Sequence, residues 1–301
     1  MFALQFKEYG GPEVLAVGEA PEPHAGPGQV RVAVRATSIN PIDWKFRAGL
    51  MAGGAALESP AIPGVDGAGV VDEVGADVEG VAVGDEVLGL GKATSAQYAV
   101  FDHVAVKPAG LSWAEAAAIP VAAETAARVL DLLGVGPGTT VLVDGASGGV
   151  GSAAIQLAVD RGATVIGTAS EGNHDYVASL GATPTTYGEG LAERVAELAP
   201  DGVDAAFDTA GKGSVPELIK IVGTPHQVVS IADFSAPKHG ARVTSGAEGR
   251  ATYALAKAAE LHEAGRFVVA VERTFPLADG ADAHRLSQEG HVRGKLVLTV
   301  P

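Results

Sequence analysis

The sequence predicts an α/β protein made of a β-rich part and a doubly wound parallel sheet. Three observations carry this. Up to about residue 110, short β-branched runs alternate with Gly/Pro turns and no clear βαβ unit occurs. From about residue 112, strands and helices alternate. After about residue 268, β character returns.

In the first part, Gln29-Val-Arg-Val-Ala-Val-Arg35 alternates apolar and polar, as a half-buried strand does. Val65 to Val74 and Glu86 to Leu90 are further strands, and together they predict a meander or partial barrel. At the change of character, Ser112 and Glu115 form a capping box before an Ala-rich helical pattern. Val141–Asp144 is then a strand, followed by a helix over about 150–161 that ends at Gly162. Ala163–Thr168 is a second strand, and a helix over about 173–180 ends at Gly181. Val203–Asp208 and Gln227–Ile231 are the third and fourth strands, which implies a parallel sheet with right-handed crossovers. Phe267–Val271 and Lys295–Val300 are β runs able to close back onto the first part.

The turn after the Val141–Asp144 strand fits two chemistries. Ala146-Ser-Gly148-Gly-Val-Gly151 is close to the G-x-G-x-x-G that cradles a dinucleotide pyrophosphate, with Ala in the first Gly slot. Gly145-Ala-Ser147-Gly-Gly149 is also a literal G-x-S-x-G, the hydrolase elbow in which Ser147 would be the nucleophile. A third role is plain packing of helix on strand. Position decides for the phosphate loop. The turn follows the first strand of the α/β part, and the second strand comes about 20 residues later, as a dinucleotide fold requires. Gly148 and Gly149 then let the backbone approach the pyrophosphate, Gly151 lets the helix pack on the strand, and the helix start near Val150 offers its N–H groups.

The second strand ends Gly167-Thr-Ala-Ser170, with no carboxylate where an NAD fold binds the ribose 2′-OH. Ser170 can bond a 2′-phosphate and His174 can add positive charge, so NADPH is expected over NADH, although Glu171 stands one residue beyond.

Composition narrows the function classes. A formal net charge of -15 opposes nucleic acid or an anionic membrane as partner. With no cysteine, disulfides, thiolate zinc sites and a cysteine nucleophile are excluded. Lys7 and Glu8 come too early for a secretory apolar segment, and no uncharged apolar run reaches the roughly 18 residues of a membrane span. A cytoplasmic protein is expected.

Several blocks carry a family resemblance when taken in order. They are Glu8-Tyr-Gly-Gly-Pro-Glu-Val-Leu15, Asn40-Pro-Ile-Asp-Trp-Lys-Phe-Arg47 and Ile62-Pro-Gly-Val-Asp-Gly-Ala-Gly69. Val83-Gly-Asp-Glu-Val87, Asp144-Gly-Ala-Ser-Gly-Gly-Val-Gly151 and Gly290-His-Val-Arg-Gly-Lys295 complete the set. The chain resembles the zinc-independent quinone oxidoreductases (zeta-crystallin-like) of the medium-chain dehydrogenase/reductase superfamily. The resemblance implies a GroES-like domain, residues 1–112 and 268–301, with a Rossmann domain, 113–267, inserted. It implies an active site in the cleft, a homodimer, and hydride transfer from NADPH to a quinone or α,β-unsaturated carbonyl. Zinc-bearing relatives have Cys near Asn40 and Gly-His-Glu where this chain has Gly64-Val65-Asp66, so no zinc ligand set is expected.

The same resemblance nominates site residues. Lys45 stands where many relatives have Tyr or Lys, and would bond the nicotinamide ribose or polarise an acceptor oxygen; a solvated surface Lys fits equally. Asn40 would bond cofactor or substrate, or make an Asx-type turn before Pro41. Asp43 would pair with Lys45 or Arg47, or cap a short helix. Thr125, Ser170, Tyr187 and Lys295 stand at cofactor-contact positions, although Tyr187 also fits plain packing and Lys295 a surface cation. Ile231 would touch the nicotinamide. Phe46–Glu58 would rim the cleft. In one departure, Glu171-Gly172-Asn173 replaces the basic residue that close relatives put after the second strand, leaving His174 as the nearby cation.

Overall fold

The computed structural model describes residues 1–57, 59–247 and 249–301. Glu58, the end of the expected rim segment, lies outside them. The chain begins with β1 (Phe2–Gln5), β2 (Ala16–Glu19), β3 (Val30–Ile39), α1 (Pro41–Arg47), β4 (Asp66–Val74), β5 (Glu86–Lys92) and β6 (Tyr98–Val106). Next come α2 (Trp113–Ala118), α3 (Pro120–Leu132), β7 (Thr140–Asp144), α4 (Gly149–Asp160), β8 (Thr164–Thr168), α5 (His174–Ser179) and β9 (Thr183–Thr185). Then follow α6 (Leu191–Leu198), β10 (Ala205–Asp208), α7 (Val215–Val222), β11 (Val228–Ser230) and β12 (Arg242–Val243). The chain ends with α8 (Tyr253–Glu263), β13 (Val271–Pro276), α9 (Gly280–Glu289) and β14 (Lys295–Thr299).

Two compact units form. The first holds Met1–Val121, Leu255–Gly265 and Val269–Pro301; the second holds Ala122–Ala254 and Arg266–Val268. The first-unit boundary lies beyond the expected residue 112, because α2 packs on β3, β4 and β14. Most of α8 also joins the first unit.

In the first unit the sheet runs β13-β14-β3-β4-β5-β6, and β3 pairs with β6 as well as β4. The strands β3 to β6 therefore close on themselves. Closure needs close backbone approach, and glycine provides it. A Cβ on Gly69 would strike the carbonyl of Ala33, and one on Gly89 would come within 2.5 Å of the His103 carbonyl. Leu4, Phe6, Val32, Phe101 and Leu298 are among the apolar side chains that fill the core of this unit.

The second unit is a parallel sheet ordered β12-β11-β10-β7-β8-β9. The chain starts at β7, winds out to β9, and returns to β10 on the other side of β7. The strand order reverses between β7 and β10, which is where such sheets bind ligands. The predicted helices appear as α4 and α5, and Gly162 and Gly181 follow them with φ of 79° and 100°. The predicted capping box is present too: Glu115 N donates to Ser112 Oγ at 3.2 Å and Ser112 N to Glu115 Oε2 at 2.9 Å.

Two readings change. Phe267–Val271 is not a strand; β13 begins at Val271. The backbone of Val268 is satisfied by a side chain instead. Its N–H donates to Gln156 Oε1 at 2.7 Å, and its carbonyl accepts from Gln156 Nε2 at 3.0 Å. Conversely, β9 reads Thr-Pro-Thr and gives little strand signal, but it lies at the sheet edge, where proline is tolerated.

Candidate active site

Each unit gathers its own set of the nominated residues. In the first unit, β3 delivers Asn40 to the start of α1, and β4 begins at Asp66. Asp66 is fully buried. Its Oδ1 accepts from Ser38 Oγ at 2.6 Å and from Asn40 Nδ2 at 2.9 Å, and its Oδ2 accepts from the Val121 amide at 3.0 Å. The other side of the Asn40 amide faces Lys295: Nζ donates to Asn40 Oδ1 at 2.6 Å and to the Ile39 carbonyl at 3.2 Å. Lys295 is only 6% exposed. Asp43 accepts from the Asn40 amide at 2.7 Å and from the Gly64 amide at 3.1 Å, so it caps α1 and ties it to the segment before β4.

Burial sets the electrostatics of this cluster. It pushes Asp43 up to about 7 and raises Asp66 as well. Burial lowers Lys295, while the charges of Asp66 and Asp43 oppose that shift. Lys45, one turn along α1, is half-buried with its ammonium 5.6 Å from the Trp44 ring, and burial lowers its pKa. Beyond α1, Leu50 and Met51 are 69% and 60% exposed in the expected rim segment.

In the second unit, Ala146, Ser147, Gly148, Gly149 and Val150 form the turn from β7 into α4. Gly145 enters it at φ 83°, a conformation that favours glycine. Gly151 is needed for packing, since a Cβ there would strike the Gly145 carbonyl and lie 2.8 Å from Ala146 Cα. Gly148 differs: its nearest neighbour would be the Gly145 carbonyl at 3.4 Å, and no side chain caps the helix there. The turn is thus uncrowded on the side where α4 presents its first amides. Ala146 is buried, and its amide bonds the Thr168 carbonyl at 2.9 Å. Ser147 sits half-buried in the same turn.

Two strand-end carboxylates stand where the sheet order reverses. Asp144 and Asp208 lie opposite each other on β7 and β10. Asp144 accepts from Thr168 Oγ1, and from Ser214 Oγ at 2.6 Å. Asp208 accepts from the Ala210 and Gly211 amides at 2.9 and 2.8 Å and from Ser230 Oγ at 2.6 Å; burial raises its pKa, with Asp144 adding to the shift.

The remaining nominees fall in three places. Ser170 (exposed), His174 (its Nε2 3.3 Å from the Ala169 carbonyl) and Tyr187 (58% exposed) gather beyond β8 and β9. Ile231 follows β11, its amide bonded to the Asp208 carbonyl at 3.1 Å. Thr125 is buried on α3 beside an ion pair, Glu124 with Arg128 at 2.9 Å, which Thr244 Oγ1 joins at 2.6 Å from Arg128 Nη1.

Sequence reasoning passed over Ser38, Asp66, Thr168 and Ser214 as site residues. Asp66 had a signal: an acid inside a Gly-rich β run, a position that burial would penalise unless polar partners were supplied. Neither serine had one.

A GroES-like unit and a doubly wound sheet with a glycine turn at its switch point define a medium-chain dehydrogenase/reductase. Family models agree: the alcohol dehydrogenase GroES-like domain matches residues 26–129 and the zinc-binding dehydrogenase model matches 180–298. A 2-methylene-furan-3-one reductase of Solanum lycopersicum is 34% identical over 99% of this chain and 79% of its own. A chloroplast envelope quinone oxidoreductase homolog of Arabidopsis thaliana is 31% identical over 99% and 98%. The spectinabilin polyketide synthase system protein NorB of Streptomyces orinoci is 36% identical over 95% of this chain, which spans only 14% of that protein. Among solved structures, the quinone oxidoreductase from Coxiella burnetii superposes with a TM-score of 0.84 at 31% identity, covering 100% of this chain and 99% of that one. A mycobacterial protein solved in complex with NADPH gives 0.83 at 26%, covering 99% and 100%. The chain belongs to the quinone oxidoreductase family of this superfamily, whose members bind a nicotinamide dinucleotide. None of the described helices is long and apolar enough to cross a membrane.

Proposed function

We propose that the protein is a zinc-independent, NADPH-dependent reductase that delivers hydride to a quinone or an α,β-unsaturated carbonyl. The observation that carries this reading is the closed network of Ser38, Asn40, Asp66 and Lys295. It occupies the segments in which zinc-bearing relatives hold their metal ligands. Both Asp66 oxygens already have donors, the neighbouring cation is an ammonium, and the chain has no cysteine. These groups do not fit a zinc site. Acceptors that need little Lewis-acid help, such as conjugated ones, suit such a site.

The turn from β7 into α4 fits a dinucleotide. Its Gly148 edge is uncrowded, the α4 amides would meet an anion with the dipole in the favourable sense, and Thr168 and Thr209 bond Gly145 at its entrance. The Gly148, Gly149 and Val150 amides and the Ser147 hydroxyl would hold the pyrophosphate; Ser170, His174 and Tyr187 would take the adenosine end. Bound NADPH supplies the hydride. Lys45 is the group assigned to the acceptor oxygen, where its half-buried ammonium would stabilise developing negative charge. Asn40, Asp43 and Lys295 act as positioning residues that fix α1 beneath Lys45, and solvent water supplies the proton. A homodimer joined at the edge strand β12 and a cytoplasmic location complete the reading.

The test is loss of NADPH absorbance with a panel of quinones, enones and aldehydes, run with and without a metal chelator. Turnover of quinone or enone, unaffected by chelator, is expected. Tight NADPH binding without turnover of any acceptor would make the protein a binding module and overturn the proposal.

A further inference from the structure

The segment after β8, Glu171-Gly172-Asn173, carries no basic residue to receive a 2′-phosphate. The fold brings one from elsewhere. β9 runs parallel beside β8, with Thr168 opposite Thr185, and the Ala169 amide donates to the Thr185 carbonyl at 2.9 Å. The next residue of that edge, Thr186, accepts from Arg194 Nη2 at 2.9 Å. Arg194 Nη1 donates to the Glu189 carbonyl at 2.8 Å, and Nη2 also reaches the Gly188 carbonyl at 3.5 Å. The guanidinium is thereby pinned under the loop that carries Tyr187, which follows the edge where β9 pairs with the end of β8.

Two features set Arg194 apart from an ordinary surface arginine. First, among the described residues no carboxylate pairs with it, and its Nε is buried without an acceptor. Second, the carbonyls of Thr186, Gly188 and Glu189 fix the guanidinium in one place. A fixed positive charge with no carboxylate partner among the described residues is what a doubly charged phosphate at the end of the second strand would require.

We infer that Arg194 supplies the charge that recognises the 2′-phosphate of NADPH, substituting for the basic residue missing after β8, and that it also holds Tyr187 in place for the adenosine end. This rests on the dinucleotide reading above. Ser170 and His174 flank the same phosphate, and Glu171 and Glu189 oppose its binding, so the selectivity depends on Arg194.

The test is calorimetric titration of the wild type, Arg194→Met and Arg194→Lys with NADPH, NADH, adenosine 2′,5′-bisphosphate and 5′-AMP, with thermal melts run alongside. Loss of one charge-assisted contact predicts that Arg194→Met weakens NADPH and the bisphosphate by about tenfold or more. NADH and 5′-AMP should move by less than about threefold. Arg194→Lys should keep most of the discrimination, and added salt should erode it in the wild type. Equal losses for NADPH and NADH in Arg194→Met would make Arg194 a loop staple only and overturn the inference while leaving the dinucleotide reading intact. So would unchanged discrimination. A wild type that binds neither dinucleotide would overturn both.

Discussion

Lys295 Nζ lies 2.6 Å from Oδ1 of Asn40, and the other side of that amide bonds the buried Asp66 carboxylate 2.9 Å away. One neutral side chain therefore mediates between an ammonium and a carboxylate that are both removed from water. Replacing Asn40 by Ala removes one partner from each buried group at once, leaving Asp66 with Ser38 and Val121 and Lys295 with the Ile39 carbonyl. It should cost about 3 kcal/mol of stability, since an unpaired buried charge is penalised far more than a lost neutral hydrogen bond. Denaturant unfolding of Asn40→Ala, Lys295→Met and the double variant measures this; the two losses should be non-additive by about 1 kcal/mol or more. Additive losses would mean the contact carries no coupling.

Two buried groups impose opposite pH dependences. Asp43 is pushed up to about 7 by burial. Its folded form holds a proton that the unfolded chain has already released, so its contribution is full below the ordinary carboxylate range and is lost as pH rises toward 7. His284 on α9 is pushed down to about 3 by burial and by Arg47. Its contribution is present above the ordinary imidazole range and is lost as pH falls from there toward 3. The slopes of these two groups oppose one another in the wild type between about pH 4 and 6.5. Asp43→Asn should make stability fall more steeply on acidification in that window, and His284→Phe should make it rise. Chemical denaturation across pH decides; unchanged slopes in both variants would remove either assignment.

Two glycines that the sequence motif treats alike, Gly148 and Gly151, should behave differently. A Cβ on Gly151 would run into the Gly145 carbonyl and Ala146, so Gly151→Ala should lose about 1–3 kcal/mol of stability as well as nucleotide binding. Gly148 has φ −75° and no neighbour nearer than 3.4 Å, so Gly148→Ala should fold normally and still bind NADPH poorly. Melting curves and NADPH titration of both separate packing from ligand approach. Full NADPH affinity in Gly148→Ala would move the pyrophosphate away from this turn.

Lys45 is the test of the catalytic assignment. Lys45→Met should lower kcat by roughly 10- to 100-fold with NADPH affinity changed little, as expected when a group stabilises charge only in the transition state. Equal loss in NADPH affinity and kcat would instead make Lys45 a cofactor contact. An unaffected rate would return it to the surface.

The strands β7, β8, β10 and β11, the helices α4 and α5, and the Ser112–Glu115 box were all legible, because each follows from local periodicity and capping chemistry. The glycine turn was legible once its place after the first parallel strand was counted. Phe267–Val271 was misleading, since nothing local reveals that Gln156 satisfies the Val268 backbone. The partners of the site were hidden for the same reason. Asn40 and Lys295 are 255 residues apart, and Arg194 reaches the end of β9 from the next helix.

The sequence by itself determined the fold class, the glycine turn after the first parallel strand and the lack of a thiolate for zinc. These depend on residue type, spacing and backbone permissiveness. Only the tertiary structure decided that Asn40, Asp66 and Lys295 form one closed buried network, that Asp43 is a cap, and that Arg194 is held beside Tyr187 with no carboxylate partner among the described residues. Pairing and desolvation set the charge and reach of these groups, and both arise from contacts between segments that the chain order keeps apart.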